Sequence, residues 1–335
     1  MNIYDISEKA GVSIATVSRV LNGNANVSEK TRKKVLDIME KYGYTPNVFA
    51  RGLGLNTMRT IGLLCRDSSD IYQAKAIYHI EKLLREEGYD SILCCTGDEL
   101  ENKKKCMGLL LNKKVDALIL ISSSFINDTA EENRYIVEAA TQIPVMLLNG
   151  ALDAQNVYGV LTDEYSAVYD AVARLANSGC KDVLYLYNSD SYSGKKKLAG
   201  YRDAVKKFGL NQDASLRQFY GKTHENIPEI AEFILKMAGE GVWFDGVVTA
   251  DDELALGVVK YAKKAGRRIP EELAVIGYNN SLLATCCDPE ISSIDIRLEK
   301  LCQHLTSSLM QALNGEELPS RAVFSGELIE RETTR

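Results

Sequence analysis

The chain has 335 residues, of which 45% are hydrophobic and 26% are charged, proportions typical of a soluble globular protein. This composition excludes disorder, collagen and a coiled-coil rod as the main architecture, and the length allows two or three units of roughly 100–200 residues each. No apolar run approaches the ~18 residues that span a membrane, and the charged N-terminal segment lacks the apolar core of a secretory signal. We therefore expect a cytoplasmic protein without a membrane partner.

The charge is distributed unevenly along the chain. Residues 1–60 contain nine Lys and Arg and five Asp and Glu, a net charge of +4, whereas the whole chain carries −6 and the remainder therefore −10. A small basic segment on an acidic body is typical of a polyanion-binding module joined to a second unit.

The first 45 residues predict three short helices, which together form a head. Ser13 and Ser28 are good N-caps for the second and third helices, because a serine hydroxyl can accept a hydrogen bond from the first helical turn. Gly43 stops the third helix. The predicted helices span about residues 3–9, 14–21 and 29–42.

Residues 46–59 are predicted to form a hinge between this head and the rest of the chain. Pro46 breaks the preceding helix. Residues 47–53 are long enough for about two helical turns, but Gly52 and Gly54 each cost about 1 kcal/mol in a helix, and isolated helices below ~12 residues are marginal. The hinge is therefore expected to be unstructured alone and helical on a partner.

From residue 60 onward, apolar strand-like runs alternate with amphipathic helical stretches. This pattern predicts an α/β fold with parallel sheets that are covered by helices on both faces. Because about 275 residues is large for one open sheet, we predict two lobes with a ligand cleft between them. We assign residues 60–160 and 290–320 to lobe 1, and residues 161–289 and 321–335 to lobe 2. The predicted strands lie at 61–65, 91–95, 115–121, 144–148, 157–161, 183–187, 246–249 and 273–277.

The segment from Val12 to Asn22 carries the strongest motif. At about 100° per residue, its apolar side chains share one helix face, and Ala15 and Arg19 lie on the opposite face. The major groove of double-stranded DNA accepts such a slim helix, in which an Arg can contact the O6 and N7 atoms of guanine. Ile14, at the helix tip, can touch a thymine methyl group. These features predict a helix that binds operator DNA in the major groove.

Polar side chains around this helix suit contacts to DNA phosphates. An ordinary surface helix in a three-helix bundle is the alternative, but the length of the motif and its register with a turn and a capped third helix argue against that alternative. The side chains in question belong to Ser13, Thr16, Ser18, Asn22, Ser28 and Thr31.

Several further segments form a recognisable set. They are IYDI (3–6), AGVS (10–13), ATVSRVLNG (15–23), VSEKTRKKV (27–35), GY (43–44), PN (46–47) and ARGL (50–53), and then TIGL (60–63), LAGY (198–201), DD (251–252), ALG (255–257), VIGY (275–278) and ERE (330–332). With these segments the chain resembles the LacI–GalR family of bacterial transcription regulators, and the resemblance covers nearly its whole length.

The resemblance implies a helix-turn-helix head that reads DNA as part of a homodimer. Ile14, Ala15 and Arg19 would read bases, and Leu53 of the hinge would wedge into the minor groove beside its dimer mate. Tyr4 and Asn47 are assigned to DNA backbone contacts. Gly52 departs from the family, which more often has Ser before the Leu, so the hinge is expected to be less rigid than usual.

The resemblance also implies that the body is similar to a periplasmic sugar-binding protein and binds a small effector, a sugar or an anionic metabolite. The cleft positions aligned by motif are Tyr72, Gln73, Asn149, Ser193, Lys197, Tyr220, Asp251 and Asn279. A homodimer is expected rather than a tetramer, because no leucine heptads follow the last motif.

Two cleft positions depart from the family pattern. Lys197 stands where the family usually has Arg, and Asn279 stands where it usually has Asp. Because this exchange keeps a positive charge and removes a negative one, we expect an anionic ligand with Lys197 as its counter-ion. The alternative is that Lys197 pairs with Asp251 or another cleft acid and that the ligand is neutral.

No motif indicates an enzyme, a metal site or a cofactor. The eight cysteines contain no CxxC, the three histidines lie far apart, and no P-loop, GxGxxG or GxSxG motif occurs. We expect Asp251 and Asp252 to divide between capping a helix and facing the ligand, not to act as a catalytic pair. A pure ligand-binding protein and a cytoplasmic α/β enzyme are the rival functions, and the DNA-binding head and the absent nucleotide loop argue against them.

Overall fold

Three helices form the head in the computed structural model, which describes residues 2–21, 26–44, 57–221 and 226–335. They are α1 (Ile3–Ala10), α2 (Ile14–Leu21) and α3 (Glu29–Lys41). The caps follow the prediction: the Thr16 amide donates to Ser13 Oγ at 3.2 Å, and the Thr31 amide donates to Ser28 Oγ at 3.3 Å. Ile6, Ala10, Val17, Val20, Val35 and Met39 form the core of the head.

The body contains two six-stranded sheets. The first has the strand order β11-β5-β4-β3-β1-β2 and the second has the order β12-β10-β9-β8-β6-β7. All strand pairs are parallel except β10 with β12. The strands are β1 (Thr60–Cys65), β2 (Asp90–Cys95), β3 (Ala117–Ile121), β4 (Val145–Leu148), β5 (Val157–Thr162), β6 (Val183–Tyr187), β7 (Arg217–Phe219), β8 (Gly246–Thr249), β9 (Ala274–Tyr278), β10 (Ser292–Asp295), β11 (Arg321–Phe324) and β12 (Glu327–Ile329).

Helices cover both faces of these sheets. Alternate residues of β1 and β3 enter two different core clusters, one on each face, which explains why these strands are apolar throughout. The helices of the body are α4 (Ile71–Glu86), α5 (Leu100–Asn112), α6 (Ala130–Ala140), α7 (Glu164–Asn177), α8 (Tyr192–Lys207), α9 (Ile227–Gly239), α10 (Asp252–Ala265), α11 (Leu282–Cys286) and α12 (Leu298–Leu313). None of the helices in the described ranges is long and apolar enough to cross a bilayer.

Two short strands lie in the lobe opposite to the predicted one. The strand β10, assigned to lobe 1, pairs with β9 of the second sheet, and β11, assigned to lobe 2, pairs with β5 of the first sheet. The chain therefore crosses between the lobes three times, after β5, after β10 and after β11. The lobe assignment of β10 and β11 from the sequence was therefore wrong. A four-residue strand has too little periodicity to indicate which sheet it joins.

The helix α8 begins six residues before the predicted Leu198, because Ser191 caps it by accepting a hydrogen bond from the Gly194 amide. This longer helix places Ser193 and Lys197 on its first two turns. Further along α8, a Cβ on Gly200 would lie 2.2 Å from the Tyr165 carbonyl oxygen of α7. The glycine in the LAGY segment is therefore required for the close packing of these two helices.

Candidate DNA-reading face and ligand cleft

One face of α2 presents the predicted base-reading side chains to solvent. Ile14 is 39% exposed, and Ala15 and Arg19 are also exposed, whereas Val17 and Val20 are buried against α1 and α3. The structure thus brings these three side chains together on a rigid, capped helix. Such a face can enter a groove without any rearrangement of the head.

The predicted phosphate contacts surround this face, and two pairs of them are hydrogen-bonded. Ser13 Oγ lies 2.9 Å from Thr16 Oγ1, and Ser28 Oγ lies 2.9 Å from Thr31 Oγ1. Each pair retains free hydroxyl lone pairs or a rotatable proton, since a hydroxyl both donates and accepts. Tyr4 is 67% exposed and Ser18 is half-buried. Asn22, Asn47 and Leu53 lie outside the described residues.

The last residues of the predicted hinge are bound to lobe 1. The amides of Met58 and Thr60 donate to the two carboxylate oxygens of Asp116, at 3.0 and 2.9 Å. Asp116 directly precedes β3, so the end of the hinge is attached to the same sheet as β1. Asp116 therefore fixes residues 58–60 to lobe 1.

A cavity of about 690 Å³ lies between the two lobes. Three of the predicted cleft residues line it: Tyr72 on α4, Asp251 at the start of α10, and Asn279 after β9. Asn279 and Asn280 have φ angles of 90° and 46°, so the loop after β9 turns sharply at the cavity wall. The N-terminus of α12 closes the cavity where the chain crosses back from lobe 2 to lobe 1.

Both carboxylates of the Asp251–Asp252 pair line this cavity, and both are hydrogen-bonded. Asp251 Oδ1 caps α10 by accepting from the Leu254 amide at 2.8 Å. Asp252 accepts from Ser293 Oγ and from the Ser281 amide, each at 2.6 Å, and burial raises the pKa of Asp252 to about 6. In the described parts of the chain, no group of three or more His, Cys, Asp or Glu side chains is arranged to hold a metal ion.

Asn149 and Ser193 line a second, smaller cavity of about 70 Å³. Asn149 has a φ of 58° and donates from Nδ2 to the Tyr72 hydroxyl at 3.0 Å, which links the two cavities. Ser193 Oγ lies 3.0 Å from Ser123 Oγ, which also donates to Ser191 Oγ at 2.9 Å. Because Ser123 belongs to lobe 1 and α8 to lobe 2, these hydroxyls connect the lobes.

Gln73 and Tyr220 line neither cavity, in contrast to the prediction. Gln73 is 3% exposed, and its Oε1 accepts from the Arg66 amide at 2.8 Å, so it shapes the loop after β1. Tyr220 is 3% exposed and packs edge-on against Phe233 in the core of lobe 2. Alignment by motif gave the positions of these residues in the chain but not the direction of their side chains.

Lys197 is buried and has a counter-ion within the protein, whereas we expected the ligand to supply it. Its Nζ lies 3.6 Å from Glu164 Oε2, donates to the Ala250 carbonyl at 3.0 Å, and sits 3.5 Å from the centre of the Tyr278 ring. The pairing with a cleft acid that the alternative expected is present, and the acid is Glu164, not Asp251. Sequence reasoning missed Glu164 because the first residue of a predicted helix carries no signal of a partner on another helix.

The Tyr278 hydroxyl completes this buried group by donating to Glu164 Oε2. Burial and the neighbouring carboxylate raise the pKa of Tyr278 well above its ordinary value, so the phenol keeps its proton. The three side chains join α7, α8 and β9, three elements that lie next to the cleft. Their charges are satisfied within the protein and do not require a ligand.

Comparisons with known proteins agree with this architecture. Residues 2–47 match the family described as bacterial regulatory proteins, lacI family, and residues 172–334 match a periplasmic binding protein-like domain. An HTH-type transcriptional regulator from Lachnoclostridium phytofermentans is 54% identical, over 100% of this chain and 99% of the relative.

Two solved structures are similar over almost all of both chains. One is the lac repressor dimer bound to operator and the anti-inducer ONPF, with a TM-score of 0.87 at 23% identity. The match covers 100% of this chain and 99% of the repressor chain. The transcriptional regulator CelR in complex with cellobiose has a TM-score of 0.71 at 25% identity and covers 99% of each chain. The predicted fold class, a helix-turn-helix head on a two-lobed α/β core, is confirmed.

Proposed function

The chain belongs to the LacI family of bacterial regulatory proteins, and from that premise we propose that it is a transcriptional repressor that binds a pseudo-palindromic operator as a homodimer. A small effector in the interlobe cleft modulates its affinity for DNA. The protein acts in the cytoplasm, where its operator is, and works by binding, not by catalysis.

The exposed face of α2 is the observation that carries this proposal. Ile14, Ala15 and Arg19 read bases in the major groove, and the surrounding hydroxyls of Ser13, Thr16, Ser18, Ser28 and Thr31, with Tyr4, contact the phosphates. Asn22 and Asn47 add backbone contacts, and Leu53 inserts into the minor groove from a hinge that becomes helical on DNA.

The cavity of about 690 Å³ between the lobes is the effector site. Its volume lies within the range of about 300–1,000 Å³ that small-molecule sites occupy. Tyr72, Asp251 and Asn279 contact the effector, and Asn149 and Ser193 contact it from the adjoining cavity. Gln73 and Lys197 support this site from behind, through Asp70 and the Ala250 carbonyl respectively. Because CelR, a similar protein, binds cellobiose, a sugar is the first candidate for the core of the effector.

The attachment of Met58 and Thr60 to Asp116 supports a route from effector to DNA. We assign residues 1–45 to the head, 46–59 to the hinge, and 60–335 to the effector-binding and dimerisation core. When the lobes close on the effector, the two lobe 1 sheets of the dimer shift relative to each other. That shift changes the spacing of the two hinges and heads, and so the fit to the two half-sites.

Selection of operators from a random DNA library tests this function. The full-length protein is expected to enrich a two-fold symmetric site, with half-sites spaced by one turn of DNA, and to bind it far more tightly than a scrambled sequence. Enrichment of an asymmetric site, or of no site, would contradict the proposal. Sugars that change the affinity for the selected operator then identify the effector class.

A further inference from the structure

Two cysteine side chains meet at the outer edge of the first sheet. Cys65 ends β1 and Cys95 ends β2, and the two residues are direct register partners. Neighbouring strands lie about 4.7–4.9 Å apart, which is within the Cα separation of about 4.4–6.8 Å that disulfides span. The two Sγ atoms lie 3.6 Å from each other. A bond between these sulfurs therefore requires rotation of the side chains and not a rearrangement of the strands.

The two thiols differ in their access to solvent. Cys65 is 0% exposed, whereas Cys95 is an exposed residue. Burial and the hydrogen bond with Cys95 raise the pKa of the Cys65 thiol to about 12, so Cys65 keeps its proton at neutral pH. Because the thiolate is the reactive form of cysteine, a dissolved reagent reacts first with Cys95. Cys65 is then placed as the internal partner of the modified sulfur.

The neighbouring cysteines of this edge point away from the pair. Successive residues of a strand project from opposite faces of the sheet, so Cys94 lies on the face opposite to Cys95. On that face Cys94 is hydrogen-bonded to Cys106 of α5, and both are half-buried. The thiol that Cys95 faces is therefore Cys65, and not the adjacent residue in the chain.

A metal ion is a poor explanation for this pair of thiols. A structural zinc ion requires four ligands, and the described parts of the chain contain no group of three or more His, Cys, Asp or Glu side chains that could hold a metal. In reducing compartments, disulfides are usually transient and redox-sensing. The geometry of Cys65 and Cys95 fits such a reversible disulfide.

The pair lies at the edge of lobe 1, close to the effector cavity. The strand β2 is the outermost strand of its sheet and pairs with β1. Beyond the pair, the amides of Thr96 and Gly97 donate to the carbonyls of Cys65 and Arg66, each at 2.9 Å. Residues 66–70 then lead to α4, whose Tyr72 lines the cavity. A bond between Cys65 and Cys95 would fasten the edge strand where this loop begins.

We propose that hydrogen peroxide converts Cys65 and Cys95 into a reversible intrachain disulfide that fastens β2 to β1. The Cys95 thiolate attacks one peroxide oxygen, the O–O bond breaks, and a sulfenic acid forms while the released hydroxide takes up a proton to give water. The Cys65 sulfur then attacks the Cys95 sulfur, the S–O bond breaks, and the Cys65 proton leaves with the hydroxide as a second water. The thiols lose the two electrons that reduce the peroxide, and a dithiol restores both thiols.

Peptide mapping of the full-length protein after treatment with hydrogen peroxide and alkylation tests the bond. Two of the eight thiols should become protected from alkylation and return after dithiothreitol, and the tryptic peptides 60–66 and 86–103 should be joined. Cys95→Ser should lose this link. Because Cys94 and Cys95 share one of these peptides, Cys94→Ser is the matched control: it makes the same change on the opposite face of β2 and should keep the link.

Two outcomes of this mapping would overturn the intrachain bond. One is a link between Cys95 residues of two chains, seen as a dimer in a denaturing gel without reductant. The other is irreversible oxidation of Cys95 to a sulfinic acid while Cys65 remains alkylatable. The inference depends on the two thiols alone, so failure of either kind leaves the proposed DNA-binding function untouched, and failure of operator selection leaves the disulfide untouched.

Hydrogen exchange tests whether the bond fastens the edge strand. The amides of residues 91–96 should exchange severalfold more slowly in the oxidised protein than in the reduced one, because opening of β2 then has to occur against the link to β1. Cys94→Ser should show the same slowing on oxidation, and Cys95→Ser should show none. Equal exchange of the oxidised and reduced parent would mean that the disulfide does not fasten β2.

Discussion

The exposed face of α2 and the interlobe cleft both carry polar side chains, but their side chains are used differently. On α2, Arg19 extends into solvent from a helix that is fixed by its N-cap and its buried side. In the cleft, Asp251, Asp252 and Lys197 are each bonded to other parts of the protein. A rigid external partner such as DNA requires free side chains on a preformed surface, whereas a cleft that changes shape needs bonds that hold its walls.

Breaking the buried pair in the cleft gives the largest expected effect. Lys197→Met leaves the Glu164 carboxylate buried without its cation and should lower the free energy of unfolding by about 3–5 kcal/mol. Lys197→Met combined with Glu164→Gln removes both charges and should regain most of that loss. Urea unfolding monitored by circular dichroism measures both variants. A double variant as unstable as the single one would mean that Glu164 is not the counter-ion.

Removing the long side chain from the DNA-reading face should affect binding and leave stability unchanged. Arg19→Ala should weaken specific operator binding by about 1–3 kcal/mol and relax the preference at one base pair in each half-site, because one bidentate contact to a base is lost. Operator selection with the variant measures the change. An unchanged preference at every position would show that Arg19 does not read a base.

Ser28 tests whether a capping residue of the head also contacts DNA. Ser28→Ala should destabilise α3 by about 1 kcal/mol, since the bond from the Thr31 amide is lost. Ser28→Asp keeps a cap but places a negative charge at the same site, so it should preserve the helix and weaken operator binding. Hydrogen exchange of α3 and operator titration measure the two effects. Equal operator affinity of Ser28→Asp and the parent would limit Ser28 to its capping role.

Lys195, an exposed lysine of α8, should show the smallest effect. Lys195 pairs with Asp128 across the lobes, and their side chains are 48% and 76% exposed, so solvent screens the pair. A double-mutant cycle with Lys195→Met and Asp128→Asn should give a coupling energy of about 0.2–1 kcal/mol. A coupling as large as that of Lys197 with Glu164 would contradict the distinction between exposed and buried pairs on this helix.

The sequence predicted the head far better than the cleft. The caps at Ser13 and Ser28 and the two faces of α2 depend on residues within a few positions of one another, so spacing alone defines them. The roles of Gln73 and Tyr220 depend on where neighbouring loops and helices place them. Motif alignment put both in the cleft, and the structure puts one against a loop backbone and the other in a core.

The amino-acid sequence by itself determined the three-helix head, the alternation of strands and helices, and the family to which the chain belongs, because helical periodicity, capping residues and apolar runs act over short distances. Only the tertiary structure decided that β10 lies in the sheet of lobe 2, that β11 lies in the sheet of lobe 1, and that Lys197 is neutralised by Glu164. Each of these depends on strands and helices that are far apart in the chain, and their pairing is set by the packing of the whole core.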